Sequence, residues 1–320
     1  MITREQLDQA RAVIKAHVHW TPLLSVASLG ARCGVRLHVK CENLQKTGSY
    51  KPRGGVNRIA QLSADEKRQG VIVMSAGNLA QGIAYAAHQA RVPCWVSMLE
   101  TASAAKIQAV RGYGAEVVLH GNRETWFDRI EEVRRETGAV LIDPWADEAL
   151  VAGYGSIGAE ILEDLPDVEA VVVPVGGGTL ISGIATALKL GRPTVRVVGV
   201  ECASGRLVHD SVAAGRPLQI TRGPSIADGL GSPRTSALVV ETVGRYVDDL
   251  VVVTDDEIYG AMRDLLQRGK LLVEGAGAAA VAALLAGQIK LGSGRNVVAV
   301  LSGGNVDFAR LQEAFGLGRA

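Results

Sequence analysis

Residues 35–54 read Val35-Arg36-Leu37-His38-Val39-Lys40-Cys41-Glu42-Asn43-Leu44-Gln45-Lys46-Thr47-Gly48-Ser49-Tyr50-Lys51-Pro52-Arg53-Gly54. An apolar strand pattern over residues 35–39 runs into a polar turn that contains glycine. Lys51 follows an aromatic residue. Pro52 stands where proline suits the first turn of a helix, since its fixed φ and missing N–H cost nothing there. A lysine at such a turn, beside a ring, can form a Schiff base with a carbonyl. Taken alone, a lysine at a helix start is more often simply solvated, so the rest of the chain has to decide.

Outward from this segment, short apolar runs alternate with helical patterns. Strands are predicted at residues 35–39, 71–74, 94–98, 116–119, 140–142, 170–175, 195–200, 250–253 and 297–301. Helices are predicted at 80–90, 123–136, 181–190 and 257–267, the last opened by a capping box of Thr254 and Glu257. This alternation argues for an α/β fold with mostly parallel sheets flanked by helices. Asp143-Pro144 is a plausible break between units. The chain has no short-period repeat and no low-complexity linker.

Composition narrows the function. The 320 residues suffice for one large or two modest cores, and the formal net charge of +1 gives no reason to expect nucleic acid as a partner. No stretch has the uninterrupted apolar length of a membrane span, and the opening residues 1–17 form an amphipathic pattern without the apolar run of a signal peptide. Cys33, Cys41, Cys94 and Cys202 are scattered without CxxC spacing. They read as reduced residues of a cytoplasmic protein, not a disulfide frame or zinc site. His17 and His19, two apart, are poorly spaced for one metal.

Three further segments carry chemistry. Gly176-Gly177-Gly178-Thr179-Leu180 joins a strand pattern to a helix start, where close backbone approach and unpaired N–H groups suit a phosphate. Gly176, Gly178 and the later Glu201 also allow a dinucleotide reading, although the third glycine comes late. Ser75-Ala76-Gly77-Asn78 follows a predicted strand, at the end where α/β proteins bind ligands. Its bland alternative is an N-cap serine and a turn asparagine. Ser302 follows the last strong strand, and the same alternative applies. Gly275-Ala276-Gly277, among many alanines, reads as helix packing, and residues 225–230 read as loop geometry.

Together these segments, spread over essentially the whole chain, resemble the serine/threonine dehydratase family. That family uses pyridoxal phosphate on the fold shared with tryptophan synthase β. The resemblance implies a large domain of residues 1–49 and 144–320 with a small domain, 50–143, inserted. It implies that Lys51 carries the cofactor and is catalytic, and that Tyr50 packs on its ring. Asn78 would bond the ring hydroxyl. Gly176, Gly177, Gly178, Thr179 and Leu180 would hold the phosphate, and Ser302 would face the pyridine nitrogen. Ser75, Ala76, Gly77 and Asn78 would receive the substrate carboxylate.

The implied reaction removes water from L-threonine or L-serine and gives a 2-oxo acid and ammonia, in a cytoplasmic homodimer. The chain departs from the family's motifs at Leu79 and Thr179, and a third position, alanine here as in many threonine dehydratases, sets it apart from family racemases. Ala76 replaces the second serine common in family racemases, and a methyl group cannot move a proton. Leu79 replaces a usual histidine, which leaves another β-hydroxy amino acid open as substrate. Thr179 replaces a fourth glycine. Some relatives bind a cation near the Glu201 position, but Leu207 stands where an aspartate ligand would be, so no metal is expected. The chain ends soon after the helix containing Leu311, so no isoleucine-feedback domain is expected. An amino-acid racemase, a β-replacing synthase and a nicotinamide dehydrogenase remain as rival functions.

Overall fold

Alternate residues of the strand Ala170–Pro174 face two different cores, and this places the main sheet at the centre of the molecule. Val171 and Val173 pack with Ile181, Ile184 and Leu188, while Ala170 and Val172 pack with residues 278–284. A strand buried on both faces reads as an unbroken apolar run, as Val171-Val172-Val173 does. The computed structural model describes residues 1–102, 104–121 and 126–315.

The strands are β1 Leu23–Ser25, β2 Arg36–Lys40, β3 Val71–Met74, β4 Cys94–Leu99, β5 Glu116–His120, β6 Val140–Ile142, β7 Ala170–Pro174, β8 Arg196–Cys202, β9 Asp249–Val253 and β10 Asn296–Val300. They form a six-stranded sheet in the order β1-β2-β10-β7-β8-β9 and a four-stranded sheet in the order β5-β4-β3-β6. Apart from β1, which lies antiparallel to β2, the pairings are parallel. Helix Gly275–Leu285 covers one face of the larger sheet with buried small residues. Helix Thr179–Gly191 covers the other and packs on helix Glu148–Asp164. In the smaller sheet Val71 and Val73 meet Ile83 and Ala87 of helix Asn78–Ala90, while Ile72 meets Ile130 and Val133 of helix Trp126–Thr137.

The α/β reading of the sequence holds, with local corrections. β1 was not expected. β8 runs on to Cys202, so Glu201 lies inside a strand. The helix expected over 123–136 is Trp126–Thr137, and residues 123–125 lie outside the described residues. The helix expected over 257–267 is Asp255–Asp264, capped by Thr254 and Glu257 as anticipated. It passes into a wider turn, Leu265–Gly269, that ends at Lys270 with φ 58°. Among the described residues no helix is long and apolar enough to cross a membrane.

Candidate active site

Helix Lys51–Ala60 begins at Lys51 with Pro52 in its first turn, and it lies against helices Asn78–Ala90 and Glu148–Asp164. The contact with the first is so close that a Cβ at Gly82 would stand 2.7 Å from the Lys51 Cβ. Its start is also held by charge. The buried Arg53 guanidinium bonds Glu42 through Nε and Nη2, each at 2.8 Å, and Glu160 through Nη1 and Nη2 at 2.5 and 2.9 Å. Burial alone would lower the Arg53 pKa; the two carboxylates outweigh it and raise it above its ordinary value. Lys40 completes the cluster, 2.8 Å from Glu160.

Lys51 reaches into a cavity of about 320 Å³ at the carboxyl ends of β3, β7 and β10. This is the end of parallel strands where α/β proteins bind ligands. Among the described residues its Nζ has no hydrogen-bond or ion-pair partner. Instead it lies 4.6 Å from the ring centroid of Tyr50 and 5.5 Å from that of Tyr154. The two rings meet edge to face at 4.8 Å. Tyr154 is fully buried, its hydroxyl has no partner among the described residues, and burial drives its pKa well up.

Tyr50, Lys51, Ser75, Ala76, Gly77 and Asn78 line this cavity, as do Gly176, Gly177, Gly178, Thr179, Leu180 and Ser302. The glycine turn leads from β7 into helix Thr179–Gly191, with Gly178 at φ 94° before the first helical residue. That conformation favours glycine, because a side chain there clashes with its own backbone. An added Cβ at Gly178 would also strike Val239, and one at Gly177 would lie 2.9 Å from Trp145 Cδ1. The Gly177 carbonyl accepts from Thr235 Oγ1 at 2.8 Å. The turn is thus a narrow cradle, and the first amides of the following helix have no intrahelical acceptor. In the Ser75–Asn78 loop the Gly77 amide donates to Ser75 Oγ at 3.2 Å. The nearly buried Ser302 follows β10, and its carbonyl accepts from the Tyr50 amide at 3.1 Å.

Two wall elements were not singled out as site residues. Asp228, Gly229 and Leu230, read as loop geometry, line the cavity, and Leu230 adjoins Gly176. Glu274, just before helix Gly275–Leu285, is nearly buried and accepts from Asn78 Nδ2 at 2.8 Å. Burial pushes the Glu274 carboxyl up to about 8; Asp228 adds to the rise, while Asn78, Lys106 and Lys51 oppose it. Glu201 lies near the end of β8. Its carboxylate accepts from the amides of Val208 and His209, both at 2.9 Å, and so caps helix Leu207–Ala213. His17 and His19 lend their carbonyls to Tyr85 and to Gln45.

An amine without a partner among the described residues, a cradle shaped for an anion and the Ser302 hydroxyl thus share one chamber. That donor set suits an aldehyde-bearing phosphate ester with a heteroaromatic ring. The pyridoxal-phosphate-dependent enzyme family model matches residues 14–303. The chain belongs to this family. Pyridoxal phosphate is its cofactor, and the residues above fit that group. As a member of this family, the chain is 42% identical to the L-threonine ammonia-lyase of Thermotoga maritima over 308 residues, 96% of this chain and 76% of that one. Among solved structures it superposes on a threonine deaminase from T.th. with TM-score 0.90 at 35% identity, covering 96% and 99% of the two chains. It superposes on maize serine racemase with TM-score 0.90 at 34% identity, covering 98% and 96%. These two solved structures share the fold described above.

Proposed function

We propose that this enzyme is a lyase that eliminates water from L-threonine or L-serine, giving a 2-oxo acid and ammonia. The observation that carries the reading is the unpaired Lys51 Nζ in one chamber with the glycine cradle and Ser302. The likeness to an L-threonine ammonia-lyase supports the reaction and the substrate. When bound, pyridoxal phosphate supplies an electron sink that acidifies the α-proton of an amino acid and eases loss of its β-substituent.

Lys51 would hold the cofactor at rest and, once released by the incoming substrate amine, its free Nζ would take the α-proton. Gly176, Gly177, Gly178, Thr179 and Leu180 hold the phosphate, and Tyr50 packs on the ring. Asn78 serves the ring hydroxyl and Ser302 the pyridine nitrogen. A neutral hydroxyl at that nitrogen donates without fixing a full positive charge there. Ser75, Ala76, Gly77 and Asn78 receive the substrate carboxylate. Residues 1–49 and 144–320 act as the large domain and 50–143 as the small one, a division supported by the confinement of one sheet to residues 71–142. All four cysteines are free thiols, which supports a reducing, cytoplasmic setting. A homodimer completes the reading, on the resemblance.

Racemisation is the second reading, favoured by the likeness to maize serine racemase. Against it stands Ala76, whose methyl group lines the chamber and cannot carry a proton. The test is a visible absorption spectrum of protein supplied with pyridoxal phosphate, then assays of 2-oxobutanoate and of D-amino acid from L-threonine and L-serine. A band bleached by borohydride with keto acid formed supports the lyase; D-amino acid as the main product supports the racemase. Lys51→Ala abolishes the band and turnover together, and retained activity would defeat the assignment.

A further inference from the structure

The loop ahead of Lys51 holds two successive residues in the left-handed region, Thr47 at φ 61° and Gly48 at φ 70°. A β-branched residue enters that region only where its surroundings enforce it, and such outliers gather at functional sites. Here the unusual turn aims the Thr47 carbonyl at Asn305, whose Nδ2 donates to it at 2.7 Å. The same nitrogen donates to Asn78 Oδ1 at 2.9 Å. Asn78 Nδ2 in turn donates to Glu274 Oε1 at 2.8 Å.

A backbone carbonyl can only accept, and this fixes the direction of every bond beyond it. Turning the Asn305 amide over would set its oxygen against the Thr47 oxygen. Turning Asn78 over would set one amide nitrogen against another. The relay joins the two sheets: Asn78 opens the helix after β3, Asn305 follows β10, and Glu274 opens the helix lying on the larger sheet. Backbone pairing steadies its near end. Ser49 bridges Gly303, and the Gly304 amide donates to the Gly48 carbonyl at 2.8 Å. The second N–H of Asn78 has no protein acceptor among the described residues, and Asn78 lines the cavity.

We infer that Asn305 is a positioning residue: anchored on the Thr47 carbonyl, it holds the Asn78 amide in one orientation, with the unused N–H kept for the cofactor chamber. The inference rests on the reading in which Asn78 serves the bound cofactor. It assigns a role to a side chain three residues beyond Ser302, to which the sequence reading gave none.

Two measurements on the full chain test it. In protein free of cofactor, Asn78→Ala, Asn305→Ala and the double variant are unfolded in urea. The two effects on the unfolding constant fail to multiply by about five-fold if the amides are bonded. In protein supplied with pyridoxal phosphate, Asn305→Asp replaces the donor with an acceptor that faces two acceptors. The expected result is a shifted visible band and a kcat lower by about ten- to a hundred-fold, the size of loss that slight misplacement of a reacting group causes. The substrate KM should change less than kcat. Independent effects in the urea series, or an unchanged band and kcat in Asn305→Asp, would overturn the inference. A wild-type protein with no visible band would instead sink the cofactor reading itself, and with it the role given to Asn78, whatever the urea series gave.

Discussion

Glu274 is an acid whose proton is bound more tightly in the folded chain than in the unfolded one, because burial lifts its carboxyl to about 8 and Asp228 adds to the rise. Below the unfolded value both states hold the proton and pH has no effect. As pH climbs from the ordinary carboxylate range toward 8, the unfolded chain ionises while the fold resists, so stability is lost across that window. The expected outcome is that Glu274→Gln, measured without cofactor, gains in thermal midpoint over wild type progressively from about pH 5 to pH 8 and then levels off. A pH-independent difference would mean that Glu274 is ionised in the fold. This side chain was hidden in the sequence for a physical reason. Lys51 and the glycine turn announce themselves by immediate neighbours, whereas Glu274 acquires its character from burial by distant parts of the fold and from Asp228, with Asn78, 196 residues away, opposing the rise. The small residues after it fit helix packing just as well, and they do pack.

At the scale of elements, the start of the lysine helix is tied by buried charge as well as by apolar contact. Arg53 stands between Glu42 of the segment after β2 and Glu160 of helix Glu148–Asp164, so three parts of the chain meet on one guanidinium. Removing one partner from a buried ion cluster leaves charges without compensation, a loss of about 3–5 kcal/mol. Arg53→Ala is expected to lose stability on that scale in denaturant titration, and Arg53→Lys to recover only part, since an ammonium cannot serve two carboxylates in the fork geometry of Arg53. A loss below about 0.5 kcal/mol, the size of an ordinary surface change, would show that the cluster does not hold the helix. The long elements were readable because their apolar runs and caps are local: the Thr254–Glu257 box forms as written. β1 was not readable. Its three residues are half-buried or exposed, and only pairing with β2 makes them a strand.

For the molecule as a whole, the two sheets leave little of the sulfur chemistry accessible. Cys41, Cys94 and Cys202 are buried, and burial pushes the Cys41 and Cys94 thiols up to about 12. Cys33 is only partly buried, though its thiol is also raised by burial, with Arg32 opposing and Asp264 assisting. A thiol reagent is expected to modify at most Cys33 in the native protein, slowly at neutral pH, and all four cysteines in denaturant; mass spectrometry counts them. Rapid modification of Cys41 or Cys94 in the native state would contradict the packing. The alternation of strand and helix along the chain conveyed this architecture in outline, but not the order of strands, because pairing between distant segments leaves no local mark.

That order bears on how the protein is made. β10 lies between β2 and β7 in the larger sheet, with Asn296 beside Arg36. While the chain leaves the ribosome, β2 can pair only with the short β1, and a lone two-stranded hairpin is marginal in water. β3 to β6 emerge consecutively and can assemble at once. The smaller sheet is thus free to form early in translation, whereas the larger sheet, and the chamber walled by both, must wait until β10 has been synthesised.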